Sequence, residues 1–158
     1  MKPDPRTISA LFENASLGAP QNAVGFVMWR VVHRYQRAVD QALQPLDLTH
    51  LQFVTLTLVA WLCRTRDVAR QSEVARVGDI HPMQVSNVMK ALEQKAMVIR
   101  TVSPGNAIAK DVAITQVGLA ALESALPAVI AVQARLFGTE GLPGGPLLDM
   151  LARIDEEK

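Results

Sequence analysis

The chain has 158 residues, 49% hydrophobic and 20% charged, with a formal net charge of +1. This composition is typical of a globular protein rather than a disordered chain, and the length suits about one domain. The single cysteine, Cys63, excludes an intramolecular disulfide and a multi-cysteine zinc or iron–sulfur site. Because the sequence has neither a signal-peptide core nor an apolar run of the roughly 18 residues that a membrane helix needs, we expect a cytoplasmic protein without a membrane partner.

The charges are unevenly distributed along the chain. Residues 26–110 contain 11 Lys and Arg against six Asp and Glu, whereas residues 111–158 contain three against seven. A basic body with an acidic C-terminal third suits a polyanion on one face and self-association on the other. The asymmetry alone does not distinguish a nucleic-acid-binding protein from a chain that is lopsided by chance.

The N-terminal part predicts helices. A short patch, Ile8 to Leu17, allows one or two helical turns, and apolar residues at helical spacing predict an amphipathic helix over Ala23 to Leu43. Pro45 ends this helix. The next segment, Leu51 to Cys63, contains β-branched residues that favour a strand, but its 13-residue apolar length indicates a buried helix. A capping box at Thr49-His50-Leu51-Gln52 supports the helical interpretation.

The middle of the chain predicts two short helices joined by a turn. Arg64 to Arg70 is polar and is interpreted as a loop, and Gln71 to Val77 follows as a helix. After the turn Gly78-Asp79-Ile80-His81, Pro82 stands at the first position of a helix that runs to Ala96. Two strands, Val98 to Val102 and Lys110 to Ile114, then flank a Pro104-Gly105-Asn106 turn. This order predicts a winged helix-turn-helix.

The C-terminal part predicts two further helices. Gln116 to Phe137 is apolar on most of its circumference, with Pro127 expected to kink it, and Leu147 to Ile154 closes the chain. A chain of this size rarely buries such a helix on every side, so we expect a homodimer. The predicted fold class is mainly α with a small β-wing. We divide it into an N-terminal arm and dimerisation helix (1–45), a DNA-binding lobe (46–116) and C-terminal dimerisation helices (117–158).

The second helix of the predicted helix-turn-helix carries polar side chains suited to reading DNA. A helix of this kind enters the major groove, where its exposed residues reach base edges. Gln84 and Asn87 can pair with adenine, Lys90 can reach guanine or phosphate, and Ser86 can reach either a base or a phosphate. The alternative is that this stripe is simply the solvated face of an amphipathic helix.

The sequence resembles the MarR family of bacterial transcriptional regulators from about Leu46 to Leu122. The residues that carry the resemblance are Leu48-Thr49-His50-Leu51-Gln52-Phe53, Gln71-Ser72-Glu73-Val74-Ala75, Val85-Ser86-Asn87-Val88, Leu92-Glu93-Gln94-Lys95-Ala96-Met97-Val98 and Ile114-Thr115-Gln116-Val117-Gly118. Each piece is weak, but their order and spacing together are specific. The resemblance implies a homodimer with two winged-helix lobes on a pseudo-palindromic operator, controlled by a small ligand or oxidant.

The chain departs from the family pattern in its predicted wing and turn. Family wings usually carry Asp-x-Arg near the tip, with the arginine in the minor groove, but these positions here read Asn106-Ala107-Ile108. Lys110 offers a point charge nearby, although lysine suits a narrow groove less well than arginine. Asp79 stands where the family commonly has glycine. Weakened or altered DNA binding is therefore an open alternative.

Aromatic residues on the two predicted helices before the helix-turn-helix suggest a ligand pocket. In this family effectors bind between the dimerisation helices and the DNA-binding lobe. The candidates for a small aromatic or phenolic effector are Trp29, His33, Tyr35, Phe53 and Trp61. Plain core packing is the alternative interpretation of the same residues.

Other chemistry is not indicated by the sequence. Cys63 lies away from the N-terminal position of the family's peroxide-sensing cysteines, so we interpret it as a small packing residue. The three histidines are scattered, and neither a metal site, a cofactor nor a nucleophile–base pair is predicted. We therefore expect no enzyme.

The sequence favours a sequence-specific, homodimeric transcriptional regulator, and within that class a repressor that a ligand releases from double-stranded DNA. Its phosphate contacts are expected from Arg76, Lys90, Lys95, Arg100 and Lys110. The alternative is a winged-helix protein that has lost specific DNA binding and acts through protein or ligand contacts, because Ile108 replaces the wing arginine.

Overall fold

The computed structural model describes residues 2–15, 18–103 and 105–156. The contacts within the chain divide it into two compact units, Met1–Ala38 and Val39–Lys158. The division into 1–45, 46–116 and 117–158 stays a prediction. Helix α1 is Pro5–Asn14, and α2 is Val24–Leu43.

Helix α1 starts at a well-formed cap. Asp4 accepts a hydrogen bond from the backbone N–H of Arg6 at 3.0 Å, and Pro5 occupies the first helical position. Because of these two residues the helix begins at Pro5, three residues before Ile8, where the apolar patch predicts its start. Its apolar side chains, Ile8, Leu11 and Phe12, are exposed.

Helix α3 (His50–Cys63) confirms the helical interpretation of the apolar segment. Both halves of the capping box form: Gln52 N–H donates to Thr49 Oγ1, and Thr49 N–H donates to Gln52 Oε1, each at 3.2 Å. Asp40 adds a third contact, since its carboxylate accepts the backbone N–H of His50 at 2.7 Å. Burial of the apolar side chains therefore outweighs their strand propensity. Phe53, Leu56 and Val59 of α3 lie in the core.

Helices α4 (Gln71–Val77) and α5 (Pro82–Gln94) form the predicted helix-turn-helix. Helix α5 ends at Gln94 rather than Ala96, because Ala96 takes a left-handed conformation with φ of 55°. Backbone bonds from Ala96 N–H to Glu93 and from Met97 N–H to Leu92 close the helix, at 2.9 Å each. This pattern is a Schellman motif.

Three antiparallel strands form the sheet in the order β1-β3-β2. They are β1 (Ala69–Arg70), β2 (Val98–Ser103) and β3 (Asn106–Ile114). Val98 pairs with Ile114, and Ala69 pairs with Val112. The prediction of a loop to Arg70 is wrong for its last two residues, since a two-residue strand leaves no periodic pattern to detect. Pro104 of the predicted turn lies outside the described residues.

Helix α6 (Gln116–Phe137) has the predicted bounds, runs through Pro127 and packs against α3 on one face. The residues of its buried stripe, spaced four and three apart, are Gly118, Leu122, Ala125, Val129 and Val132. Large apolar side chains on its other faces, such as Leu126 and Ile130, are exposed. A 3-10 turn (Gly138–Gly141) leads to α7 (Pro146–Glu156), in which no described residue is buried.

The segment Gln116–Gly141 is long and apolar enough to cross a membrane, with a mean hydropathy of 1.6. The expectation that the chain holds no such segment was based on unbroken apolar runs. This helix was missed because it includes polar residues such as Gln116 and Glu123. The core helix of a water-soluble protein can have the same length and composition. Leu122 and Val129 are buried and α6 contacts α3, while only 28% of the apolar window is buried within the chain.

Candidate nucleic-acid interface

Helix α5 has one buried apolar face and an outer side that is mostly polar. Its buried side chains are Val85, Met89 and Leu92, which follow one face of the helix. Gln84, Asn87 and Lys90 are exposed, and Ser86 is half-buried. Asn87 and Lys90 therefore lie on the outer side of the helix, and Gln84 and Ser86 lie on its two flanks.

The start of α5 is fixed by a cap that the sequence analysis missed. His81 Nδ1 accepts a hydrogen bond from the backbone N–H of Met83 at 3.2 Å, and Pro82 occupies the first helical turn. Histidine is not a common capping residue. Its place directly before Pro82 is the one sequence signal that could have indicated this role.

The turn before α5 explains the departure at Asp79. Helix α4 ends in a second Schellman motif, in which Ile80 N–H donates to Ala75 at 3.0 Å and Asp79 has φ of 48°. Glycine favours this left-handed position, but the short polar side chain of aspartate tolerates it. The preceding Gly78 has a different role: a Cβ there would lie 2.7 Å from Leu58 Cδ1. A side chain at position 78 would therefore have to displace the end of the Leu58 side chain on α3.

Arg100, a predicted phosphate contact, is engaged within the chain. Its guanidinium donates to Glu93 Oε2 from Nε at 3.0 Å and from Nη2 at 2.7 Å, and Glu93 Oε1 accepts the Arg100 backbone N–H at 3.2 Å. The hydrogen bond from Arg100 lowers the pKa of Glu93 and keeps it ionised. The pair joins the recognition helix α5 to wing strand β2, so its clearest role is to orient the wing.

Lys95 is likewise held by neighbouring groups. Its ammonium lies 3.1 Å from Asp47 Oδ2 and 3.2 Å from Gln52 Oε1, and it also donates to the Asp47 carbonyl oxygen. These contacts connect the end of α5 to the start of α3. Arg76 and Lys110, in contrast, are exposed at the end of α4 and in β3. Of the predicted phosphate contacts, Lys90, Arg76 and Lys110 are the most accessible.

The turn end of the wing contains a buried polar pair that the sequence did not indicate. Ser103 Oγ donates to Asp111 Oδ1 at 2.6 Å, and both residues are buried. The bond lies beside a register shift between Val102 and Ser103. A serine and an aspartate eight residues apart give no recognisable signal in one sequence. The side chains of Asn106, Ala107 and Ile108 lie outside the described part of the chain.

Helix α2 carries a surface groove of about 340 Å³ within the unit Met1–Ala38. Its lining residues are Val27, Trp29, Arg30, Val31, His33, Arg34 and Arg37. The rings of Trp29 and His33 lie 4.3 Å apart, and His33 Nδ1 is 2.6 Å from the Trp29 carbonyl oxygen. Three arginines beside two aromatic rings make the groove suitable for an anion that contains a planar group.

The other predicted pocket residues have different surroundings. Phe53 is buried in the core, and Trp61 stacks against Arg64, whose guanidinium carbon lies 3.5 Å from the ring centre. Tyr35 is half-buried on α2. Trp29 and His33 are therefore the predicted pocket residues that the structure places in one groove.

The cysteine and histidines serve local packing and hydrogen bonding. Cys63 is half-buried, and its thiol lies 3.7 Å from the carbonyl oxygen of Val112. Burial lowers the pKa of His50, and the nearby Asp40 carboxylate partly opposes this effect. Across residues 2–15, 18–103 and 105–156, no three His, Cys, Asp or Glu side chains are grouped as metal ligands.

Known proteins are similar to this chain in sequence and in fold. No family model matches the chain. The uncharacterized HTH-type transcriptional regulator YdcH of Bacillus subtilis is 29% identical over 124 residues, which cover 78% of this chain and 84% of YdcH. This similarity to a helix-turn-helix regulator agrees with the resemblance carried by the sequence motifs.

Solved structures extend the match to the three-dimensional fold. CouR from Rhodococcus jostii RHA1, bound to p-coumaroyl-CoA, has a TM-score of 0.72 and 28% identity over 86% of this chain and 92% of its own. A cysteine-to-serine variant of MarR from E. coli, solved with operator DNA, has a TM-score of 0.69 and 20% identity over 84% of this chain and 91% of its own. The mainly helical winged helix fold is thereby confirmed. The chain is a MarR-like winged helix protein, similar in fold and in sequence to transcriptional regulators.

Proposed function

We propose that the protein is a cytoplasmic, homodimeric repressor that binds a pseudo-palindromic operator and is released by a small aromatic anion. The observation that carries the proposal is the outer face of α5, where Gln84, Asn87 and Lys90 are exposed above a buried apolar face. Such a helix presents hydrogen-bonding groups to base edges in the major groove. Its relatives are transcriptional regulators, and catalysis forms no part of the proposal.

DNA binding is tested by fluorescence anisotropy with the duplex upstream of the protein's own gene and a random duplex of equal length. Asn87→Ala should weaken binding to the specific duplex by about 5- to 100-fold and leave random-duplex binding unchanged. Gln41→Ala, which removes an exposed amide on α2, is the matched control and should bind as the unaltered protein does. Equal binding to both duplexes at every salt concentration contradicts the proposal.

The effector is proposed to bind the α2 groove. Trp29 and His33 offer planar surfaces, and Arg30, Arg34 and Arg37 offer charge-assisted hydrogen bonds to a carboxylate or phosphate. Since CouR was solved with p-coumaroyl-CoA, this thioester and free p-coumarate are suitable first probes. Binding would shift the population toward a spacing of the two recognition helices that no longer fits successive major grooves.

Tryptophan fluorescence distinguishes this groove from other binding places. The chain has two tryptophans, so Trp29→Phe leaves Trp61 as the only tryptophan reporter. We expect p-coumaroyl-CoA to quench the unaltered protein and to release DNA, with little quenching in Trp29→Phe. Quenching that persists in Trp29→Phe and disappears in Trp61→Phe would place the ligand elsewhere.

A second function, that of a winged-helix protein without specific DNA binding, stays a prediction from the sequence, because Ile108 replaces the wing arginine. Ile108→Arg separates the two functions: a weakened DNA binder should gain roughly 5- to 100-fold in operator affinity. A protein that has lost specific DNA binding should show no such gain.

A further inference from the structure

Met83 is an exposed apolar residue on the face of α5 proposed to read DNA. We propose that its side chain contacts the 5-methyl group of a thymine in each operator half-site and so makes Met83 a specificity-determining residue. This inference rests on the proposed function, and it adds a base identity to that function. Thymine is the base that presents a methyl group in the major groove.

Met83 lies on the outer side of helix α5. Helix α5 buries Val85, Met89 and Leu92. At about 100° per residue, Met83 lies on the side opposite the middle of that buried face. Asn87 and Lys90, four and seven residues further on, continue the same outer line and are exposed. Met83 thus belongs to the row of side chains that would face the bases.

The side chain of Met83 is also highly exposed. Its exposed fraction is 66%, the largest among the large apolar side chains that the structure describes in residues 39–158. The next residues along the row, Asn87 and Lys90, are exposed and polar. A solitary apolar contact among hydrogen-bonding groups suits a thymine methyl flanked by base edges, and suits an apolar protein surface less well.

The backbone of Met83 is held firmly enough for such a contact to be specific. The His81 ring accepts the Met83 N–H at 3.2 Å, and Pro82 fixes the turn before it. Residues at the N-terminal end of a recognition helix are those that contact base edges. The thioether is flexible and polarizable, so it can follow the small contour of a methyl group.

The test removes the methyl group from the DNA and the thioether from the protein. A specific duplex is first selected from a random pool by the unaltered protein, and each thymine is then replaced by deoxyuridine, which keeps its base pairing. We expect one symmetric pair of replacements to lower affinity about three- to tenfold, because each half-site loses one buried methyl contact. In Met83→Ala the same replacements should change affinity less than about 1.5-fold, since the apolar partner of the methyl group is gone.

Two further variants separate this contact from general weakening. Gln84→Ala should lose affinity but keep the thymine-to-deoxyuridine ratio of the unaltered protein, and Met83→Leu should keep most of that ratio. The inference is overturned if deoxyuridine is tolerated at every position or if Met83→Ala keeps the penalty. Failure to select any specific duplex would instead overturn the proposed function, and this inference with it.

Discussion

Ala96 illustrates how the backbone conformation of a single residue affects the stability of the winged helix. It has φ of 55° at the Schellman end of α5, a conformation that costs an L-residue roughly 1–2 kcal/mol. Replacement by glycine removes this cost, although the unfolded chain then gains entropy worth about 0.5–1 kcal/mol. We expect Ala96→Gly to raise the free energy of unfolding by about 0.5–1 kcal/mol in urea titrations.

Ala120→Gly is the matched control for this substitution. Ala120 is exposed within α6, where the helix has ordinary geometry. Glycine there should lower the free energy of unfolding by about 0.5–1 kcal/mol. The two alanine-to-glycine changes must therefore have opposite signs, and a loss of stability in both would contradict the argument.

His50 gives the protein a pH-dependent stability. Burial lowers its pKa in the folded protein below the ordinary value of 6.5, while Asp40 partly opposes the shift. The unfolded chain therefore binds more protons than the folded chain as the pH falls through 6.5, and stability declines in that direction. Unfolding titrations at fixed protein concentration should show a smaller decline between about pH 7.5 and 5.5 in His50→Gln. Identical slopes in both proteins would show that His50 makes no such contribution.

At the scale of elements, the wing depends on its connection to α5. Arg100 donates two guanidinium hydrogen bonds to Glu93, and its side chain is only 16% exposed. Because those donors are already engaged, Arg100→Ala should weaken operator binding through wing orientation while leaving the salt dependence unchanged. Arg76→Ala, which removes an exposed cation, should instead lower the slope of log affinity against log salt by about one per subunit.

Anisotropy titrations from about 50 to 200 mM salt measure both slopes. Glu93→Gln is the useful companion variant, since it weakens the hold on the Arg100 guanidinium without removing the guanidinium itself. A slope that falls in Arg100→Ala by as much as in Arg76→Ala would show that Arg100 contacts phosphate after all.

The sequence predicts well those helices and strands that have strong local signals. It predicts contacts between distant residues far less well. The Thr49 capping box and the burial pattern of α5 identified two helices, and α6 has the bounds predicted for it. The strand β1 and the Ser103–Asp111 pair were missed, because both depend on partners brought close by folding. The same reason explains Arg100: its charge was visible in the sequence, but its partner Glu93 was not recognised.

At the scale of the whole molecule, apolar helix faces are left uncovered. Helix α7 is amphipathic, and its apolar residues Leu148, Met150, Leu151 and Ile154 are exposed. Exposed side chains of α6, such as Ile130, add to this apolar surface. A second copy of the chain is the partner that the proposed function requires, and interfaces between obligate subunits are rich in apolar side chains.

Charge placed on the apolar face of α7 tests the homodimer. The double variant Leu151→Glu with Ile154→Glu should raise the dimer dissociation constant at least about 100-fold, because two apolar side chains lose burial and two carboxylates must be desolvated. Arg153→Glu, on the polar face of the same helix, changes the net charge equally and should leave the dimer intact. Sedimentation velocity measures the assembly of both proteins.

The same two proteins connect assembly to DNA binding. If two recognition helices bind one operator, the double variant should bind the full operator no better than a duplex that carries one half-site. Its affinity for the single half-site should match that of Arg153→Glu, since α5 is untouched. A double variant that remains dimeric would place the subunit interface away from α7. A monomer that still prefers the full operator would instead separate DNA recognition from dimerisation.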